Sequence, residues 1–313
     1  MLFWAMAKDI LKGVFITGLI FIISAFIPIV GFFCAVFIPL PTLYYRRKLG
    51  RTGGAIIPIL SASILVALIG RISIDGVFLL ELLFMGFVLG ELFDLRLSIE
   101  KTFLYAGGSV LLTEAVALLM ISATSADGIY ATISEYVSLN LEMIVIVYRD
   151  MGMSAENIQL LSRSLDIIHY YLVRIIPSLV VSSTLFLIWV SVLLARPLLR
   201  NRKLIYPDFG KFNLWKAPDF LVWVVIACGL IMLFFDNPAR VISLNALIIL
   251  GTIYFFQGIA IVSYLFEKKG FPRRLRIVLY SLIAIQQLFL LVVIGLGFFD
   301  MWLNFRKIKP QGT

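Results

Sequence analysis

Residues Gly76–Phe93 read GVFLLELLFMGFVLGELF, and this stretch indicates the class of protein to which the chain belongs. Apart from Glu81 and Glu91, the stretch contains apolar residues and glycine. A helix of this length rises about 27 Å, and the hydrocarbon core of a bilayer is about 30 Å thick. The stretch therefore predicts a helix that crosses a membrane.

Similar apolar stretches recur along the rest of the chain. The sequence is 61% hydrophobic and 14% charged, whereas a soluble domain is about 45–50% apolar and about 25% charged. A chain this apolar cannot cover its surface with polar atoms, so it requires the lipid bilayer around it. We predict an all-α, polytopic integral membrane bundle with about 8–9 transmembrane helices. The other predicted spans are 10–25, 29–44, 53–70, 103–121, 170–194, 218–235, 241–266 and 277–299.

A polar segment interrupts this pattern between residues 122 and 168. In this segment Gly152 is typical of a helix stop, and Ser154 is typical of the N-cap of the next helix. We interpret 122–168 as an external arm of two amphipathic helices that lie on or above the membrane. The predicted domains are a six-helix membrane core including this arm (1–195), a basic cytoplasmic connector (196–217) and C-terminal membrane helices (218–313).

The basic residues predict how the chain is oriented. The net charge is +9, and lysine and arginine concentrate in short segments between apolar stretches, where they favour the cytoplasmic side. This distribution fits membrane topology, and we expect no nucleic-acid partner. The predicted location is the bacterial cytoplasmic (inner) membrane, with the arm outside. The side of the C-terminus stays open, because Arg306 and Lys307 favour the cytoplasm while an odd number of spans places them outside. The basic loops are 46–51, 96–101, 196–216 and 268–276.

Charged residues inside predicted spans are the candidates for a functional site, because a charge in hydrocarbon is costly. Glu114 lies about 16–17 Å along a helix from Phe103, and Glu81 lies about 9 Å from the outer boundary of its span. Arg174 lies near the outer start of the sixth span. Similar depths predict a ligand or ion site formed by Glu81, Glu114 and Arg174. The alternatives are an ion pair that only locks the packing, or a glutamate kept neutral by burial.

Small residues in two spans predict close contact between helices. Gly86 and Gly90 form a Gly-x-x-x-Gly pattern in the fourth span, and Gly107 and Gly108 lie near the start of the fifth. Glycines allow helix backbones to approach each other. The pattern predicts packing within one chain, and dimerisation is the alternative.

The motifs of enzymes and nucleotide-driven motors do not occur in the sequence. There is no Gly-x-x-x-x-Gly-Lys phosphate loop, no Cys-x-x-Cys and no His-Glu-x-x-His. One histidine and two cysteines, both within apolar stretches, do not form a metal-binding pattern. We therefore expect no catalytic residue, no metal and no cofactor. Uphill movement of a solute would then require an ion gradient or a separate ATPase.

Three short motifs resemble one family of bacterial membrane proteins. Leu214–Trp223 (LWKAPDFLVW), Tyr148–Glu156 (YRDMGMSAE) and Gly297–Lys307 (GFFDMWLNFRK) are similar to W-x-x-P-D-x-L-V-W, Y-x-x-M-G-x-S-x-E and G-x-x-D-x-W-x-x-F-R-K of the YybS-like family. This family contains domain of unknown function 2232. Its first six spans resemble the substrate-binding subunits of energy-coupling-factor vitamin transporters.

The resemblance implies that six helices hold a small-molecule substrate in a pocket open to the outside, with the arm as a lid. A separate ATPase pair and a coupling subunit would supply the energy. We therefore expect a transporter-like protein that binds or passes a small solute. The alternative is a membrane scaffold or assembly protein that contacts envelope partners and has structural buried charges.

Overall fold

The computed structural model describes residues 2–69, 74–124, 128–236 and 238–307, and it is built from α-helices. Within these ranges no strand occurs, which confirms the prediction of an all-α fold. The helices are α1 (Leu2–Phe26), α2 (Pro28–Ala35), α3 (Pro39–Ile69), α4 (Ile74–Asp94), α5 (Ile99–Thr124), α6 (Gly128–Asp150), α7 (Ala155–Asn201), α8 (Leu221–Phe234), α9 (Ala239–Lys268), α10 (Arg273–Ile285) and α11 (Gln287–Leu303).

Several of these helices are long enough to cross a bilayer. Among the described residues, seven helices have the length and apolar character of a span, and the number is eight if α10 and α11 count as one bent span. Helix α8 has 14 residues, which is shorter than the about 20 residues that a perpendicular span needs. The structure therefore supports a multi-pass membrane protein.

The predicted span 277–299 is not one helix, because the chain bends there by 101° between α10 and α11. Gln286 has extended backbone angles and ends α10, and α11 begins at Gln287. Helix α10 has arginines at one end and an exposed aliphatic face that includes Ile277 and Ile285. A helix that combines these features suits a membrane interface better than the hydrocarbon core. The polar side chain at position 286 marks the break.

The predicted basic loop 46–51 lies inside a helix. Helix α3 contains these residues and continues to Ile69, as two helical segments that meet at a kink at Gly50, where the backbone angles are non-helical. Gly50 has a φ of +78°, a conformation that suits glycine because it has no Cβ. The predicted second span, 29–44, is instead divided between α2 and α3. Residue 70, the predicted end of the third span, lies outside the described residues.

The two helices predicted for the arm are present, but their lengths differ from the prediction. The Ser154 hydroxyl accepts a hydrogen bond from the Asn157 N–H at 3.4 Å, which confirms Ser154 as the N-cap of α7. Helix α7 then runs for 47 residues without ending before the predicted sixth span. Helix α6 is itself long and apolar enough to cross a membrane. Residues 125–127 lie outside the described residues, and the location of the arm relative to the bilayer stays a prediction.

A polar contact joins α6 to α7 at one point. The Nε2 atom of His169 on α7 lies 3.2 Å from the Ser134 hydroxyl and 3.1 Å from the Ser134 carbonyl oxygen.

The chain forms two compact units. The first contains Met1–Val173 and Ser183–Asp208, and the second contains Arg174–Ser182 and Phe209–Thr313. In the first unit α3 packs against α1 and α4, and α4 packs against α5. In the second unit α9 packs against α8 and α11. The second unit resumes at Phe209, inside the connector 196–217 that the sequence analysis singled out.

Candidate functional site

The first unit brings together two glutamates that are far apart in the sequence. Glu81 lies about 10 Å from the start of α4, and Glu114 lies about 15 Å before the end of α5. Their carboxyl groups are hydrogen-bonded to each other. A third helix contributes Thr184 on α7, which is hydrogen-bonded to Glu114. The structure therefore places two acidic side chains and one hydroxyl at a meeting point of three helices.

Burial leaves this pair with unused hydrogen-bonding capacity. Glu81 is 7% exposed and Thr184 is 1% exposed, and Glu114 is half-buried. The Oε1 atom of Glu81 and the Oε2 atom of Glu114 are buried and have no hydrogen-bond partner. A buried acceptor without a partner costs about 1–3 kcal/mol. A hydrogen-bond donor or a cation at these two oxygens would offset that cost.

The contact between the carboxyl groups also requires a proton. Ionised carboxylates only accept hydrogen bonds, so a bond between Glu81 and Glu114 needs a proton on one of them. Two carboxylates within hydrogen-bonding distance of each other in an apolar interior would also repel each other strongly. A pair that shares one proton satisfies both conditions and carries a single negative charge.

Arg174, the third predicted site residue, belongs to the second unit. Its carbonyl oxygen accepts a hydrogen bond of 2.9 Å from the Asn245 amide, and the same amide's oxygen accepts one of 3.1 Å from the Ser178 N–H. These bonds join α7 to α9 within that unit. The structure brings Glu81 and Glu114 together, and a site that includes Arg174 stays a prediction.

The four glycines that the sequence analysis selected differ in their surroundings. A Cβ at Gly86 would overlap the Pro39 carbonyl group of α3, and one at Gly90 would lie 2.5 Å from Arg46 Cγ. Gly107 faces α7 at ordinary contact distance, and Gly108 faces open space. Gly86 and Gly90 therefore allow α3 and α4 to approach closely, whereas Gly108 has no neighbour that requires a glycine.

The family to which the chain belongs follows from its match over most of its length. The family of predicted membrane proteins called DUF2232 matches residues 15–301. The chain belongs to the DUF2232 family. The uncharacterized protein YybS of Bacillus subtilis (strain 168) is 22% identical over 319 residues, which cover 96% of this chain and 99% of that protein. No solved structure matches the chain significantly. The family resemblance predicted from the three short motifs is confirmed.

A cluster of ion pairs in this DUF2232 protein joins α3 to the end of α4. The Nε atom of Arg46 lies 2.5 Å from Glu91 Oε1, and its Nη2 atom lies 2.8 Å from Asp94 Oδ2. Arg47 also pairs with Asp94. Lys48 reaches back to Asp9 of α1 at 2.7 Å. The sequence analysis interpreted these basic residues as a cytoplasmic loop and did not identify their acidic partners.

A second polar cluster, in the C-terminal unit of the DUF2232 protein, was not predicted. Arg306 Nη2 lies 2.8 Å from Asp300 Oδ2, and both residues are almost fully buried. Arg306 Nη1 donates to the carbonyl oxygen of Trp215 at 2.8 Å, and the Gln257 amide donates to Asp300 at 3.3 Å. The Gln257 oxygen accepts from the Ala217 N–H at 3.0 Å. This cluster joins the segment before α8, helix α9 and the C-terminal end of α11. Most of its members belong to the motifs Leu214–Trp223 and Gly297–Lys307.

The described residues of the DUF2232 protein contain no group of three or more histidine, cysteine, aspartate or glutamate side chains placed to hold a metal ion. Cys34 and Cys228 are free cysteines. The acidic pair of α4 and α5 is the candidate site because its unpartnered atoms are carboxyl oxygens. In the two charge clusters the buried unpartnered atoms are the Nε atoms of Arg47 and Arg306, and the acids are in ion pairs.

Proposed function

We propose that this DUF2232 protein is of transporter type and binds or passes a small solute. The observation that carries the proposal is the pair of buried carboxyl oxygens, on Glu81 and Glu114, that have no hydrogen-bond partner. Buried polar groups in proteins are nearly always hydrogen-bonded, and ionisable residues inside spans are functional candidates by default. A glutamate that only held helices together would gain from full pairing, as Asp300 does with Arg306.

The proposed location is the bacterial cytoplasmic membrane, with the basic segments inside and the start of α7 outside. The positive-inside rule supports this orientation. The sequence has no phosphate loop, so the energy comes either from an ion gradient or from a separate ATPase with a coupling subunit.

The orientation can be tested with single cysteines in a variant that lacks Cys34 and Cys228. We expect Asp150→Cys to react with an impermeant maleimide added to intact cells, because it lies just before α7 on the proposed outer side. Lys203→Cys, just beyond the other end of α7, should react only after the membrane is opened. Both side chains are exposed in the wild-type structure. If both positions react from the same side, the proposed orientation is wrong.

Solute binding can be tested by thermal unfolding of the purified protein in detergent with a panel of small solutes. We expect at least one solute to raise the midpoint of unfolding, because a ligand at 100 times its Kd stabilises a protein by about 2.7 kcal/mol. The double variant Glu81→Gln, Glu114→Gln should lose this stabilisation, since amides present different charge and hydrogen-bonding groups to the ligand. The matched control is Glu142→Gln, at an exposed glutamate on α6.

Two results would contradict the proposal. One is a double variant that is folded and binds every solute as the wild type does, because the pair would then have no part in binding. The other is a wild-type protein that no solute stabilises and that purifies in a stable complex with an envelope protein. That outcome would favour a scaffold role.

A further inference from the structure

We propose that the Glu81–Glu114 pair exchanges its shared proton for a monovalent cation. The inference rests on the proposed function, and it specifies the ligand class and the energy source. The solute, or an ion that accompanies it, is a cation, and the energy comes from a proton gradient. A separate ATPase is then unnecessary.

The carboxyl groups of Glu81 and Glu114 face each other and one hydroxyl. The titratable group that faces Glu81 from α5 is Glu114, and the one that faces Glu114 from α4 is Glu81. From α7 the facing polar group is the Thr184 hydroxyl, which carries no charge. Among the described residues, the groups that interact with the pair therefore supply two carboxyls and a hydroxyl, with no cation. In contrast, the acids of the other two clusters are paired with Arg46 or Arg306.

One carboxyl oxygen of each glutamate is buried and has no hydrogen-bond partner. Glu81 is more than nine-tenths buried, and its Oε1 atom makes no hydrogen bond. The Oε2 atom of Glu114 is likewise buried and unpartnered. Each can accept a hydrogen bond, and the two carboxyl groups that the proton joins become ligands for a cation once that proton leaves.

The exchange leaves the net charge of the glutamate pair unchanged. With one shared proton the pair carries one negative charge. When the proton leaves to water the pair carries two, and a bound monovalent cation returns the total to one. Protons and cations exchange one for one, and the buried charge does not change. This matters because a second uncompensated charge in a low-dielectric interior would cost several kcal/mol more.

The donor set favours monovalent cations over divalent ones. Ca²⁺ takes six to eight oxygen ligands, and Mg²⁺ needs near-octahedral coordination. The described part of the chain holds no cluster of three acidic or metal-ligating side chains. Sodium, potassium and a primary ammonium group share the required charge, and the experiment separates them.

Proton release on cation binding tests the inference directly. Purified protein in detergent is placed in weakly buffered solution at pH 7 with a pH-indicator dye, and sodium, potassium or methylammonium chloride is added in separate experiments. Tetramethylammonium chloride, whose bulky cation has no N–H or O–H group and cannot donate hydrogen bonds, controls for ionic strength. We expect one of the three cations to release about one proton per chain, with a saturable dependence on concentration. The effective salt identifies the ion as inorganic or as an ammonium.

The variants identify the source of the proton. Glu81→Gln and Glu114→Gln should each abolish the release, and Glu142→Gln should release the proton as the wild type does. Size-exclusion chromatography and circular dichroism show whether each variant is folded. If a Gln variant does not fold, Glu81→Asp keeps the carboxyl group and should still release a proton.

The outcomes separate this inference from the proposed function. If no cation releases a proton from the wild-type protein, the exchange is refuted, whether or not any variant folds. If solutes stabilise the protein but none releases protons, the proposed function stands and the inference fails. If a cation releases one proton and no other solute stabilises the protein, the exchange site stands and binding of a separate solute fails.

Discussion

Replacing Arg306 with methionine is expected to lower the free energy of unfolding by about 3–5 kcal/mol, because it leaves a buried carboxylate without its partner. Arg306 is 2% exposed and Asp300 is 4% exposed. The change also removes the donors to the carbonyl oxygens of Asn213 and Trp215. The measurement is SDS-induced unfolding in mixed micelles, followed by tryptophan fluorescence. Lys307→Met, at the exposed neighbouring position, is the control and should differ little from wild type.

A second variant separates the effect of charge from that of lost packing. Arg306→Met combined with Asp300→Asn removes both charges, and the asparagine oxygen can still accept from the Phe305 N–H. We expect the double variant to be more stable than Arg306→Met alone, since no unpaired charge stays buried. If the free energy of unfolding of Arg306→Met alone is within about 1 kcal/mol of the wild-type value, the ion pair contributes no more than an exposed one does.

Gly86→Ala is expected to destabilise the first unit by about 1–3 kcal/mol, which is typical of overpacking in a close-packed interior. The new Cβ would overlap the Pro39 carbonyl oxygen. A backbone carbonyl cannot rotate away as a side chain can, so α3 and α4 must separate. The control is Gly108→Ala, where a Cβ meets no atom within 4 Å.

The two alanine variants should therefore change stability in opposite directions. At Gly108 the alanine gains helix propensity of up to about 1 kcal/mol without a clash. Thermal unfolding in the same detergent measures both. If Gly86→Ala is as stable as Gly108→Ala, the close approach of α3 and α4 does not require a glycine at position 86.

Composition was sufficient to predict the class of fold, because hydrocarbon forces each apolar stretch to form its own backbone hydrogen bonds. The limits of the helices were harder to predict. The segment up to His169 is polar, so the sequence indicated a separate arm helix before the sixth span. A helix has no need to end where its surroundings change, and α7 continues through this position. The break at Gln286 was missed because Gln286 and Gln287 lie between two apolar stretches that together have the length of one span.

The site was predicted in part, for a physical reason. The depth of Glu81 and Glu114 follows from counting residues along a helix, so their similar level could be inferred. Their direct contact depends on how α4 and α5 rotate about their axes, which the sequence pattern does not specify. The same applies to Arg46 and its partners Glu91 and Asp94, which are 45 and 48 residues away in the sequence. Opposite charges indicate candidates for pairing, and tertiary packing selects among them.

Helix α7 has a mechanical consequence. It runs as a single helix from the Ser154 cap to Thr184 and beyond, a distance of about 45 Å along its axis. Pro177 lies between these two points and cannot donate a backbone hydrogen bond, so it is the position at which α7 bends most easily. Bending of α7 at Pro177 changes where the hydroxyl that contacts Glu114 lies relative to the polar start of the helix.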